Sequence, residues 1–451
     1  MRSEAQTIDM YQNKYFLAPM VRIGTLPARL LALRYGADLV YTEEIIDFKM
    51  LRTTRVKNEL LNTVDFVMSD GTVVFRTCQE ETTHVVFQVG TADADRALQV
   101  AKMVEKDIAA FDVNMGCPKD YSVKGGMGAA LLTEPEKVKK ILTTLVKGLS
   151  IPVTCKIRIL PTIAETVQLC KLIESTGVTA LAVHGREKHE RSRQPVHTEY
   201  IQAVAAAVAI PVIANGGSLD IKTFSDMEQF RLQAGCASIM VARAAQWNLS
   251  VFRREGPLSH LDVVKAYIKT AIECDNSFGN TKYCVLRLMH EQYTSEAAAE
   301  FTAAKDIREM CEVVGLVSFY KNTLLTRQAK QQALEKCGSQ NPTSLIKRRL
   351  SDDSMDLVEM KFKFRRKDYP DTITPKSVLF EWTRDQKLQP PSYEMRTREE
   401  DCSFKSIVIV DNTKYASTEW EKSKRHAEQA AAAVCLAALG INDGRQRHKE
   451  M

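Results

Sequence analysis

The 451-residue chain contains no C-x-x-C pair, no G-x-G-x-x-G loop and no apolar run near the ~18–20 residues that span a bilayer. Its eleven cysteines are odd in number and scattered, which argues against a disulfide framework and for a reducing compartment. The missing glycine fingerprint sets aside a doubly wound open sheet. Such a fold would carry the fingerprint after its first strand, and here that strand runs into APMVRIGT. The opening stretch, MRSEAQTIDMYQNKYF, lacks the basic-then-apolar order of a secretory signal. A cytoplasmic protein with no membrane partner is the expectation. A strong charge excess is absent too: the net charge of +6 permits an RNA partner without requiring one.

What is present is a repeating rhythm. Short apolar runs alternate with amphipathic helical stretches over the first 245 residues: FLAPM (16–20), LVYTEE (39–44), VVFQVG (85–90), FDVNMGCP (111–118), VTCKIR (153–158), LAVHGR (181–186), PVIANGG (211–217) and ASIMVARA (237–244). Eight strand–helix units predict an α/β fold, a closed (β/α)8 TIM barrel. Residues 47–84 interrupt the rhythm, and Asp70-Gly71 beside TVVFR predicts a small β hairpin there.

Beyond the barrel, residues 258–330 are helical in pattern, and QAKQQALEKCGSQNPTSLIKRRLSDDS reads as a linker of low order. A second compact unit then has a basic lead-in (KFKFRRK, 361–367), a helix opening at Thr374-Pro375, three strands, and an Ala-rich helix ended by Gly440. The expected layout is a catalytic barrel over 13–250, a helical domain over 251–330, a linker over 331–357 and the second unit over 358–440.

TIM barrels place reacting groups at the C-terminal ends of their strands. Here those ends offer Ala18-Pro19-Met20, Glu43-Glu44, Gln88, Asn114 with Cys117, Lys156 with Arg158, His184 with Arg186, Asn215-Gly216-Gly217 and Ala242-Arg243. Alternation puts Lys156 and Arg158 on one face of their strand and Cys155 and Ile157 on the other. Gly216, Gly217 and Arg243 suit a phosphate, although Asn-Gly-Gly taken alone is equally a strand-ending turn. An intracellular cysteine is commonly an inert buried residue. The Gly and Pro flanking Cys117, and its place at the mouth, make it a candidate general acid instead.

The ordered series A-P-M, D-V-N-M-G-C-P, K-G-G-M-G-A-A-L-L, C-K-I-R, H-G-R and N-G-G resembles the dihydrouridine synthases over about residues 13–330. The C-terminal unit, with T-P-K and K-S-K-R-H-A-E-Q-A-A-A, resembles a double-stranded-RNA-binding domain, and the pairing resembles the type 2 branch of the eukaryotic enzymes. The resemblance implies NAD(P)H-dependent, FMN-mediated reduction of a tRNA uridine to 5,6-dihydrouridine, by family at position twenty of the D-loop. NADPH or NADH would be a transient reductant. It further implies FMN contacts from Pro19, Met20, Val21, Gln88, Lys156, His184, Asn215, Gly216, Gly217, Ala242 and Arg243. Hydride would reach C6 of a flipped-out uracil while Cys117 protonates C5. Lys156 would stabilise charge on the reduced ring, and Asn114 and Arg158 are the expected uracil contacts.

RNA would be held by Arg365, Arg366, Lys376, Lys424 and Arg425, in a monomer. Two departures stand out. Ala242 replaces the Gly that many relatives carry, where only backbone is needed; and MRTREEDCSF stands where the usual G-P-x-H loop of the RNA-binding domain would be. Other readings remain open from the residues alone. They are a flavin barrel acting on a small pyrimidine, an RNA-binding protein with an inactive barrel, and an enzyme whose C-terminal unit binds protein.

Overall fold

The apolar runs become strands because β-branched and aromatic residues dominate them and glycine or proline ends them. In the computed structural model, which describes residues 9–338, 346–348, 357–370, 373–386, 388–399 and 401–445, these strands open the chain. β1 (Tyr15–Leu17) and β2 (Leu39–Tyr41) are followed by a short β3 (Ile45–Ile46) and by β4 (Thr53–Asn58), β5 (Thr63–Met68) and β6 (Val73–Cys78). Then come β7 (Val85–Gly90), β8 (Ala110–Met115), β9 (Val153–Arg158), β10 (Ala180–His184), β11 (Val212–Asn215) and β12 (Ser238–Val241). The sheet runs β2-β1-β12-β11-β10-β9-β8-β7, and a β2–β7 pairing closes it into a parallel barrel. All eight expected runs are barrel strands.

Two apolar layers result from strand alternation. Phe16, Leu39, Tyr41, Val86, Ala110, Ala180, Ala182, Ile213 and Met240 form one buried cluster that fills the barrel. Alternate residues such as Leu17, Phe87, Phe111, Cys155, Ile157 and Val183 pack outward with the helices. The interruption over 47–84 is larger than a hairpin: β4, β5 and β6 make a three-stranded antiparallel sheet. Asp70-Gly71 does form its β5–β6 turn, with Asp70 Oδ1 accepting the Thr72 N–H at 2.8 Å.

The barrel is followed by helices His260–Glu273, Phe278–Leu288, Glu296–Ala303 and Ile307–Val313, each begun by a side-chain cap from Ser259, Ser277, Ser295 or Asp306. A further helix, Val317–Gly338, runs through QAKQQALEKCG, so that part of the expected low-order linker is ordered. Gln, Lys, Ala, Leu and Glu are strong helix formers, and composition alone concealed this. Residues 339–345 and 349–356 of that stretch lie outside the described residues.

The chain divides into two units, residues 1–330 and 331–451. In the second, β13 (Ile346–Arg348), β14 (Leu357–Met360), β15 (Ser392–Arg398), β16 (Ser403–Val410) and β17 (Thr413–Ser417) form one sheet in the order β13-β14-β17-β16-β15. Helices Pro375–Asp385 and Lys424–Ala438 contribute Leu379 and the Ala430–Leu436 run to a core with Val408, Val410 and Tyr415. The expected helix–three-strand–helix order is present, with β13 and β14 added ahead of it. Thr374 caps the first helix and Pro375 begins it. Residues 395–398 and 403–404 of MRTREEDCSF are paired strand in β15 and β16, and Glu399, Asp401 and Cys402 lie in a turn between them.

Candidate active site

A cavity of about 390 Å³ opens among the C-terminal ends of the barrel strands. Its wall includes Pro19, Val21, Gln88, Asn114, Cys117, Lys156, Arg158, His184, Asn215, Gly216, Ala242 and Arg243 from the sequence-derived set. Met20 and Gly217 do not line it; Met20 packs against the outer core instead.

Register explains the convergence. Parallel pairing sets Gln88, Asp112 and Thr154 in one row, Asn114 beside Lys156 in the next, and Arg158, His184 and Asn215 in a third. Asp112, fully buried, accepts from Gln88 Nε2 at 2.8 Å and from Thr154 Oγ1 at 2.7 Å. That fixes the Gln88 amide, whose oxygen accepts from Asn114 Nδ2 at 3.1 Å. Asn114 Oδ1 in turn accepts the N–H groups of Gly116 and Cys117. The expected uracil contact at Asn114 therefore has its oxygen engaged in holding the Cys117 loop. Arg158 is also partly committed, donating from Nε to Gly116 O and from Nη1 to Glu187 O, each at 2.8 Å.

The other side of the Cys117 loop rests on K-G-G-M-G-A-A. Ala129 donates its N–H to Cys117 O at 2.9 Å. Gly128 sits at φ +58°, and a Cβ there would stand 2.6 Å from that same carbonyl. Only glycine fits this turn.

Charge defines the cavity. Among its lining residues are Lys119, Lys156, Arg158, Arg186, Arg191 and Arg243, against two acids, Glu44 and Glu190. Burial, then the Arg158 charge, brings Lys156 down to about 7. Burial, then Arg186 and Arg191, brings Arg158 down to about 10. His184 falls well below its ordinary value through burial and the cations around it. Arg186 Nη1 lies 3.1 Å from His184 Nε2. A guanidinium has only donors, so Nε2 accepts and the neutral ring carries its proton on Nδ1. Crowding like charges out of water is costly unless an anion joins them. The wall therefore suits an anionic ligand, and the Gly216 turn at φ +137° supplies backbone without a Cβ beside Arg243.

The sequence assigns no role to several wall residues: Glu44, named only as half of a mouth pair, and Glu190, Arg191 and Ser192, together with Asp112 beneath them. Asp112 was within reach, because alternation places it on the face of Asn114. Glu43 and Glu44 are equal in sequence. Only folding separates them: Glu43 accepts the Arg22 N–H at 2.7 Å, and Glu44 faces the cavity. Nothing in chain spacing ties Glu44 or the 187–192 loop to Cys117.

In the second unit, KFKFRRK alternates: Phe362 and Phe364 are buried, whereas Lys361, Lys363 and Arg365 are exposed. Phe364 meets His426 with ring centroids 5.2 Å apart, which brings the lead-in to the first turn of helix Lys424–Ala438. Lys424 and Arg425 are exposed there. Arg366 donates to Tyr369 O and Pro370 O. Lys376 is held by Glu428 at 2.6 Å and lies over the Tyr393 ring.

Residues 16–341 match the family described as dihydrouridine synthase (Dus). The chain belongs to this family. A second match runs from residue 375 to residue 439, to the double-stranded RNA binding motif. A fission yeast (Schizosaccharomyces pombe) protein named tRNA-dihydrouridine(20) synthase [NAD(P)+] is 40% identical over 66% of this chain and 64% of its own length. The alignment thus spans less than two thirds of that relative. A Saccharomyces cerevisiae protein of the same name is 38% identical over 62% of this chain and 78% of its own. A solved double-stranded-RNA-binding domain of a tRNA-dihydrouridine(20) synthase is 50% identical, covering 21% of this chain and 99% of its own, with a TM-score of 0.20. No helix among the described residues is long and apolar enough to cross a membrane.

Proposed function

We propose that this dihydrouridine synthase reduces the C5–C6 bond of a uridine in the tRNA D-loop, at position twenty, using FMN and NAD(P)H. The observation that carries the reading is Cys117, held by Asn114 and Ala129 at the rim of a cationic cavity inside a dihydrouridine synthase barrel. Two relatives bear names with that position.

The chemistry FMN supplies when bound is a hydride for C6 of the base. Gly216, Asn215 and Arg243 would hold its phosphate, and Gln88 and His184 Nδ1–H would meet its polar edge. Lys156, easily neutralised in the buried site, gains its proton when an anionic ring lies beside it. Cys117 Sγ carries the proton destined for C5. Burial and the Glu44 charge push this thiol up, so it is protonated at neutral pH as a general acid requires. Exposed Arg365, Lys424 and Arg425 form the RNA grip of the second unit, and electrostatic contact to phosphate supplies the affinity. We place the protein in the cytoplasm, where its thiols would stay reduced.

The decisive experiment is mass analysis of tRNA from cells lacking the protein. The reading requires loss of two hydrogens' mass at one D-loop uridine, restored by wild type and not by Cys117→Ala. Unchanged tRNA would overturn it.

A further inference from the structure

Glu44 is set apart from every other acid near the cavity by its surroundings. It lies between β2 and β3, with Oε1 buried and without a hydrogen-bond partner. A Cβ at Gly90 would come within 2.8 Å of that oxygen, so glycine makes room for the carboxyl group. Its other oxygen, Oε2, accepts from the Tyr121 hydroxyl at 3.0 Å, and the same hydroxyl stands 4.0 Å from Cys117 Sγ. No lysine or arginine pairs with Glu44 among the described residues, although six line the cavity wall. A carboxyl group placed this way contributes little to stability. Its geometry points at Cys117.

We propose that Glu44, lodged behind Tyr121, is a positioning residue that keeps the Cys117 proton on sulfur until the base arrives; this rests on the reading of Cys117 as the general acid. The need for such a group is visible in the opposing charges. Lys156 and Arg158 on β9 interact with the Cys117 charge and favour thiolate, as do the hydrogen bonds from the Lys119 backbone and the Tyr121 hydroxyl. A thiolate at rest cannot protonate C5 and is open to oxidation and alkylation. Glu44 supplies the negative charge that opposes these groups at the thiol, and the Tyr121 hydroxyl donates to it. Burial raises the Glu44 carboxyl group itself, and its effect on the thiol grows as it ionises.

The test uses the full-length, FMN-loaded protein. Iodoacetamide modification of the Cys117 peptide is followed against pH, which needs no RNA. Glu44→Gln, nearly isosteric, is expected to shift the midpoint to lower pH by about one unit, as expected when a like charge is removed. Glu44→Asp, which keeps the charge, should stay near wild type. In parallel, tRNA-driven reoxidation of the reduced flavin is measured against pH, and its alkaline limb should move down with the alkylation midpoint. An unmoved midpoint in Glu44→Gln overturns the proposal. So does a moved midpoint with an unmoved alkaline limb, because the thiol's protonation would then not matter to turnover. Failure of the underlying reading looks different: Cys117→Ala would reoxidise with tRNA at the wild-type rate.

Discussion

Asn114 Oδ1 accepts the backbone N–H of Cys117 at 2.9 Å, so the side chain two residues beyond Asp112 decides where the reactive sulfur's loop sits. The same oxygen accepts Gly116 N–H at 2.9 Å, and Asn114 Nδ2 holds Gln88. Asn114→Ala would strand two backbone donors and one amide oxygen. A loss of about 1–3 kcal/mol for each group left buried and unpaired is the relevant scale. The melting temperature should fall together with dihydrouridine formation. A variant that lost activity with unchanged melting would make Asn114 a substrate contact alone.

Cys117→Ala should retain the yellow colour and NADPH-driven bleaching yet lose ~10²–10⁴-fold in tRNA reduction, the range typical of a general acid. Stopped-flow absorbance separates the two half-reactions. Equal reoxidation by tRNA in mutant and wild type would make the thiol structural.

Flavin affinity should weaken from pH 7 to pH 9. Burial and the Arg158 charge bring Lys156 down to about 7 in the free site, and an anion bound nearby raises that value. Binding then takes up a proton over this window, so it is favoured on the acid side and loses strength as pH climbs. Reconstitution of apoprotein, read by flavin fluorescence quenching, measures it. Lys156→Met should flatten the curve; a slope that survives this change would assign the proton to another group.

Gly128→Ala forces a left-handed backbone and a Cβ 2.6 Å from Cys117 O. Strain of at least ~1 kcal/mol is expected, and the Ala129–Cys117 hydrogen bond must give way. Calorimetry should show the loss, and Cys117 alkylation should accelerate as its loop loosens. An unchanged melting point and alkylation rate would mean that the turn adapts elsewhere.

Ending the chain after Gly338, past the helix Val317–Gly338, should leave a flavin-binding barrel with much weaker tRNA affinity. In the full chain, Ala at Arg365, Lys424 or Arg425 should each reduce the slope of log affinity against log salt by about 0.7–0.9. Lys376→Ala should alter it less, because Glu428 already occupies that ammonium. Filter binding across a salt series tests both. Undiminished tRNA modification by the truncated protein would make the second unit a module for protein contacts.

The sequence by itself determined the barrel, because strand periodicity is local and each of eight apolar runs carried its own ending in Gly, Pro or a polar residue. It determined Lys156 and Arg158 as cavity residues for the same reason, since alternation along β9 is a local rule. Thr374, Pro375 and Gly440 marked helix ends through capping chemistry that acts within a few residues. Relations across the chain were decided by tertiary structure alone. Register between β7, β8 and β9 aligned Gln88, Asp112 and Thr154 into one hydrogen-bonded row. Folding turned Glu43 outward to Arg22 and Glu44 inward to Tyr121, and it engaged Lys376 with Glu428. Pairings of this kind depend on which side chains meet in space, and residues 44, 117 and 121 share no periodicity that could announce their meeting.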